Sequence, residues 1–490
     1  MKGCGVLLPI SALPNEYGIG TIGKYAYKFC DILAASHQSY WQVLPISPTS
    51  FGDSPYQSFS TFAGNEYFID LEKLVEEGLL EEIEIEGLKT KADSTIDYSK
   101  LYRTRYRILR QAYYRFLERK PNDYDEFCIT NEWLKNYALF RSLKNHFNGA
   151  SFDVWPVEYK KRDSNTLDKY LKENKEDIEF YYFLQYKFNK DWCALKKYAN
   201  EKGIKIIGDL PIYVAYDSAD VWGNPDNYLL DDNLKPKIVA GCPPDAFSAT
   251  GQLWGNPIYD YDKMEKDDFV WWIKRTKKAF EYFDIVRIDH FRGFAGYYTI
   301  PYGDKTAELG KWEKGVGIKL FKKIEAELGK KNFIAEDLGV IDDDVRKLLK
   351  STGYPGMKII QFAFEGRMDH EYLPINYEEN CVAYPGTHDN PTLKEWLEEI
   401  PQWQKEFCYK YLKLRKNENP IRKIIKVLQE SKANLVIIPL QDYLELGKES
   451  RINTPSTLGG NWQYRFSPKV FSKGLINKIT SLCKVRIRGK

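Results

Sequence analysis

Three acidic residues stand where short apolar runs end in charge: Asp289 in DIVRIDHFRGF, Glu336 in FIAEDLGV and Asp389 in VAYPGTHDNPT. Breaking or transferring a glycosidic bond with retention needs one carboxylate to attack the sugar carbon and one carboxylic acid to protonate the leaving oxygen. Further negative charge stabilises the oxocarbenium-like transition state. Arg287 stands two residues before Asp289, so on a strand the two side chains share a face, and the guanidinium is expected to hold the carboxylate ionised, as a nucleophile requires. Glu336 follows the apolar FIA run, a dry setting that favours the protonated form a general acid needs. Asp389 follows His388, one of only five histidines. It could stabilise positive charge or bond sugar hydroxyls, with His388 donating to the same ring. Each feature also has a plainer reading: a buried ion pair, a strand-end carboxylate accepting from a helix N-terminus, a structural histidine. No second histidine lies at a ligand spacing such as H-E-x-x-H, so no metal is expected. The glycines of G-I-G-T-I-G at residues 18–23 fit G-x-G-x-x-G, but SALPNEY separates them from the preceding strand, so no dinucleotide cofactor is expected either.

These residues need strands to carry them. Parallel strands covered on both faces read as continuous apolar runs, and eight such runs occur, at residues 5–10, 40–46, 204–212, 284–289, 332–337, 357–364, 381–389 and 434–442. Amphipathic stretches of helical length lie between several of them, such as VWWIKRTKKAFEYF before the fourth and GIKLFKKIEAELG before the fifth. The pattern predicts an α/β fold, a (β/α)8 TIM barrel whose active site lies at the carboxyl ends of its strands. Asp209, Asp289, Glu336, Asp337 and Asp389 all fall there. Residues 1–490 are expected to form a single catalytic barrel domain with two insertions. Residues 71–203 read as a mostly helical insertion between the second and third strands, its charge runs being solvated helix faces. Residues 217–268, dense in Gly, Pro, Asn and Asp, read as a long loop wall after the third strand.

Composition narrows the partner. With 72 Lys and Arg against 69 Asp and Glu, the net charge is +3, which gives no footprint for nucleic acid or an anionic membrane. Twelve Trp, 36 Tyr and 26 Phe make up 15% of the chain; most must be core, yet a surplus of Tyr and Trp also suits flat, hydroxyl-rich ligands. The eight cysteines form no C-x-x-C pair and read as reduced thiols. Pro9 interrupts the short N-terminal apolar run and no stretch reaches about 18 apolar residues, so neither a signal peptide nor a membrane span is expected, and a cytoplasmic location is.

Longer motifs are more specific than any of these residues alone: ISALPNEYGIGTIG, YWQVLPISPTSFGDSPYQSFSTFAGN, GDLPIYVAYDSADVW, GCPPDAFSATGQLWGNPIYDY, VRIDHFRGF, IAEDLG, YPGTHDNPT and GNWQYR. With them the chain resembles, nearly end to end, the 4-α-glucanotransferases known as amylomaltases or disproportionating enzymes, of the α-amylase clan. The resemblance implies a (β/α) barrel and a retaining double displacement on α-1,4-glucans and maltooligosaccharides. It implies Asp289 as nucleophile, Glu336 as acid/base and Asp389 as transition-state stabiliser. It further implies that Arg287, His388 and Asp209 bind the sugar at the cleaved bond, and that Tyr56 and a loop containing Phe247, Gln252, Trp254 and Asn256 wall the groove. A glucan hydrolase, a non-catalytic glucan-binding barrel and a metal-dependent barrel hydrolase are the competing readings. In one departure, Ser456 stands before GNWQYR where many relatives carry glycine, so the turn there is expected to differ.

Overall fold

A computed structural model describes residues 3–50, 52–244, 248–339, 341–457 and 459–488. Its strands are β1 (Gly3–Leu7), β2 (Tyr40–Gln42), β3 (Lys205–Leu210), β4 (Ile238–Cys242), β5 (Gln252–Pro257), β6 (Ile285–Ile288), β7 (Gly296–Pro301), β8 (Lys311–Lys314), β9 (Phe333–Ala335), β10 (Gly356–Ile359), β11 (Cys381–Tyr384) and β12 (Leu435–Pro439). Eight of them form one parallel sheet in the order β10-β11-β12-β1-β2-β3-β6-β9. The Ala335 N–H donates to the Pro355 carbonyl at 2.9 Å, and the Met357 N–H donates to the Asp337 carboxylate at 2.6 Å. These two bonds join the first and last strands of that order and close the (β/α)8 barrel.

All eight apolar runs form strands, but shorter ones than the runs themselves. Pro9, Pro45, Pro211 and Pro385 lie just beyond β1, β2, β3 and β11, and a residue without an N–H cannot extend a ladder. Inside the barrel Ile207, Ile285, Ile334, Met357, Val382 and Ile437 pack as a buried cluster of their own. Side chains repeat with period two along a strand. The next inward positions toward the carboxyl ends are therefore Asp209 on β3, Arg287 on β6 and then Asp289 just after it, Glu336 after β9, and Tyr384 on β11.

The surrounding helices follow from their sequences. In Pro420–Glu430 the proline occupies the first turn, the Asn419 side chain accepts from the Arg422 N–H, and Ile421, Ile424, Ile425 and Leu428 form the buried stripe.

Residues 71–203 contain several helices, the longest being Tyr98–Glu118 and Lys175–Glu201. Their charges are not all solvated as the sequence suggested. Arg105, Arg141, Lys187 and Asp191 are buried. Arg105 donates to the Tyr17 and Ile69 carbonyls at 2.6 and 3.1 Å, and the Arg141 guanidinium lies 4.7–5.8 Å from the ring centres of Phe59, Tyr106, Tyr137 and Tyr181. A buried cation persists only when so partnered. From the same insertion Gln185 clasps the Gly64 peptide, accepting its N–H at 2.8 Å and donating to its carbonyl at 2.9 Å. The Phe188 ring fills the space beside Gly64 so closely that a Cβ there would lie 1.9 Å from it. The insertion thus braces the segment that follows β2.

Residues 217–268 also differ from the long loop expected. They include β4 and β5, which join β7 and β8 in an antiparallel sheet of order β5-β4-β7-β8. The QLWGNP sequence of β5 is poor in strand formers, and β4 gains β7 as its second neighbour from across the chain, so neither local propensity nor spacing revealed the sheet. No helix among the described residues is long and apolar enough to cross a membrane.

Candidate active site

The centre of the site is one guanidinium. Arg287 Nη1 donates to both Asp209 oxygens at 2.7 and 2.6 Å and lies 3.2 Å from Asp289 Oδ1, while its Nη2 lies 3.5 Å from Glu336 Oε2. Asp209 and Arg287 are register partners on β3 and β6, and Arg287 pairs with Ile334 on β9, so the ladder itself brings the four groups together. Burial works against the arginine's charge, but Asp209, then Glu336 and Asp289, outweigh it and hold Arg287 firmly protonated.

Burial also dominates the two acids. It lifts the Asp289 carboxyl well above the usual carboxylate range despite the pull of Arg287, and neighbouring Glu336 and Asp209 add to the rise. Desolvation thus opposes the ionisation that Arg287 was expected to secure at Asp289, and that cation is shared with Asp209 and Glu336. Glu336 is likewise raised by burial, against the pull of Arg287 and of the His290 N–H that donates to its Oε2.

His290 takes a left-handed conformation, with φ of 52°, at the sharp turn after Asp289. That turn aims its N–H at Glu336 and sets its ring edge-on to Trp254 at 4.8 Å. Burial, aided by Arg292, drives the imidazole down to about 3, so it stays neutral.

On the other side of the mouth the Tyr56 hydroxyl donates to Asp209 Oδ2 at 2.8 Å, and its ring stacks on His388 with centres 5.2 Å apart and planes 13° from parallel. Burial lowers the His388 pKa and leaves a neutral ring whose Nε2 lies 3.3 Å from Asp389 Oδ1. Asn453 Nδ2 donates to the same oxygen at 2.6 Å. Trp462 leans on both Tyr56 and His388, with ring centres 5.8 Å from each. The Asp389 side chain is the most open of the three acids at 42% exposure, against 26% for Asp289 and 17% for Glu336.

Among the expected wall residues, Trp254 reaches this centre through His290, and Gln252 accepts from its indole N–H at 3.1 Å. Asn256 is buried, donating to the Val214 carbonyl at 2.8 Å and accepting from Gln57 at 3.3 Å. Its amide is engaged in tying β5 to the Tyr56 segment. Phe247 lies outside the described residues. Ser456 adopts φ of 62°, so the turn keeps the left-handed form that a glycine would take most easily.

Four residues that the sequence reading did not single out belong to the site or its frame: His290, Arg451, Asn453 and Trp462. His290 was legible as one of five histidines and the neighbour of Asp289, and Trp462 as part of GNWQYR. Nothing local marks Arg451 or Asn453. Among the described residues no group of three or more His, Cys, Asp or Glu is placed to hold a metal ion.

A closed parallel barrel with acids gathered around an arginine at the carboxyl ends of its strands is the architecture of a glycoside hydrolase-type enzyme. The family model described as 4-alpha-glucanotransferase matches residues 8–471, and the chain belongs to that family, glycoside hydrolase family 77. A 4-alpha-glucanotransferase of Clostridium butyricum is 49% identical over 481 residues, covering 97% of this chain and 99% of the relative. One of Thermus thermophilus is 42% identical over 476 residues, covering 95% and 94%. The solved amylomaltase from Streptococcus agalactiae in complex with acarbose superposes with a TM-score of 0.97 at 38% identity, covering 99% of each chain.

Proposed function

We propose that this 4-α-glucanotransferase moves a segment of an α-1,4-glucan from one maltooligosaccharide to the 4-hydroxyl of another, with Asp289, Glu336 and Asp389 as its working acids. The observation that carries the reading is the Arg287 guanidinium, which touches carboxylates from three adjacent strands and so gathers a nucleophile and an acid at one point.

An Asp289 oxygen attacks the anomeric carbon while the bond to the leaving oxygen breaks, and Glu336 gives that oxygen its proton. The reducing-end fragment departs, leaving a glycosyl ester on Asp289. The 4-hydroxyl of the acceptor then gives its proton to the Glu336 carboxylate and attacks the anomeric carbon of the glycosyl ester, whose bond to the Asp289 oxygen breaks, which frees the Asp289 carboxylate and forms a new α-1,4 bond. One proton shared by the raised pair suffices for this cycle. Asp289 is the nearer of the two to Arg287, which favours charge there, and Glu336 turns Oε2 toward Arg287 and the His290 N–H, leaving Oε1 to hold the proton. Asp389, with His388 and Asn453 on one oxygen, is poised to bond sugar hydroxyls and to oppose the positive charge that develops.

Transfer requires that an acceptor hydroxyl outcompete water. The rings of Tyr56, Trp254 and Trp462 line the approach, a wall suited to the apolar faces of sugars. In this reading the chain works as one catalytic barrel, with residues 71–203 as a brace and 217–268 as part of the wall. The eight cysteines, read as reduced thiols, fit a cytoplasmic setting.

Incubation with maltotriose tests the proposal. The expected result is glucose together with a ladder of longer oligomers at a constant number of reducing ends. A rising number of reducing ends without longer products would overturn transfer in favour of hydrolysis.

A further inference from the structure

Asp389 approaches the site from a loop and not from a strand, so something must fix its position. Its Oδ1 receives Asn453 and faces His388, but both of those contacts depend on where the neighbouring loops run. A single side chain ties those loops together. Arg451 Nη2 donates to the Asp389 carbonyl at 3.0 Å, its Nε donates to the Asn453 carbonyl at 2.9 Å, and its Nη1 lies 3.3 Å from Glu395 Oε1. Glu395 is itself buried and rigidly held, its other oxygen accepting from the Thr392 N–H at 3.3 Å while the Thr392 hydroxyl accepts from the Glu395 N–H at 3.2 Å. The reciprocal cap at the start of helix Leu393–Glu399 therefore serves as a fixed post.

The three consecutive residues 451–453 hold three parts of the mouth. Arg451 grips the backbone of Asp389, Ile452 accepts the Trp462 N–H at 2.8 Å, and Asn453 meets the Asp389 carboxylate at 2.6 Å. Trp462 in turn rests on Tyr56 and His388. A guanidinium suits this task because its rigid planar fork can satisfy two carbonyls and a carboxylate at once, which a lysine cannot match in direction.

We propose that Arg451 is a positioning residue for the transfer reaction, setting the Asp389 carboxylate and its Asn453 partner through the Asp389 and Asn453 carbonyls without touching the sugar. The proposal rests on the role given to Asp389. A carboxylate displaced by about 1 Å loses on the order of a hundredfold in rate, so the effect falls on turnover more than on substrate affinity.

The test measures maltotriose disproportionation, as kcat and KM per folded molecule, with the folded fraction taken from the thermal unfolding transition of each variant. Arg451→Met is expected to lower kcat by about tenfold to a hundredfold with KM changed by less than about threefold, and Arg451→Lys is expected to recover part of the loss. Because Arg451 acts through Asn453 and Asp389, its substitution in an Asn453→Ala background is expected to cost less than about threefold more. A kcat for Arg451→Met within about twofold of the parent, or losses that simply multiply with those of Asn453→Ala, would refute positioning. Asp389→Asn is the control for the underlying reading. If it turns over like the parent, the role of Asp389 fails; if it is inactive while Arg451→Met is not, positioning alone fails.

Discussion

At the scale of single residues the two acids can be separated by the leaving group they face. A glycosyl fluoride needs little help from a proton, so Glu336→Gln is expected to lose at least about a hundredfold on maltotriose and much less in the first step with a glycosyl fluoride donor. Asp289→Asn is expected to lose about 10⁴-fold or more on both. Rate measurements on the two donors check the assignment, and equal losses for Glu336→Gln on both would exchange or dissolve the roles. The positions of these acids were legible in the sequence because each ends a run of apolar residues, and strand geometry turns that into a direction. Their protonation was not. The sequence shows Arg287 two residues from Asp289 but not that the same cation is shared with Asp209 and Glu336 in a site where burial dominates. Asn256 illustrates the opposite gap: an amide in a specific motif, GQLWGNP, whose bonds go to Val214 and Gln57. Arg451 and Asn453 carry no local mark because their contacts are to backbone and side chains some sixty residues away in sequence.

At the scale of elements the seam between β9 and β10 has a pH dependence of known sign. Asp337 accepts the Met357 N–H across it, and its carboxyl is pressed against Gly356, where a Cβ would lie 2.5 Å from Oδ2. Burial raises this carboxyl from 3.8 to about 7. An acid whose pKa is higher in the folded protein contributes its full stability below its unfolded pKa and loses it as pH climbs toward the folded value. Asp337→Asn keeps the acceptor and removes the charge. Its advantage over the parent in urea unfolding is therefore expected to grow by about 2–3 kcal/mol between pH 5 and pH 8; an advantage that stays constant with pH would contradict this account. All eight barrel strands were legible as apolar runs, since parallel strands hidden on both faces leave a strong compositional signal. The sheet of β4, β5, β7 and β8 was not, since β8 is exposed at every residue and β5 mixes glycine, asparagine and proline. Nor was the brace from the insertion, where Gln185 holds a glycine peptide far away in sequence.

At the scale of the whole molecule, β1 pairs with β12 over its full length, Gly3 lying opposite Leu435 and Leu7 opposite Pro439. Among the described strands, the one of lowest residue number is thus flanked on one side by the one of highest. Emerging from the ribosome, β1 finds β2 early but waits for residues 435–439 before it meets its other neighbour, and until then the ring cannot shut. Nascent chains halted before residue 435 are expected to be digested readily by added protease, and those released after β12 has left the exit tunnel to resist it. The geometry that unites distant acids in one mouth also means that the mouth stays unfinished until β12 is available to seat between β11 and β1.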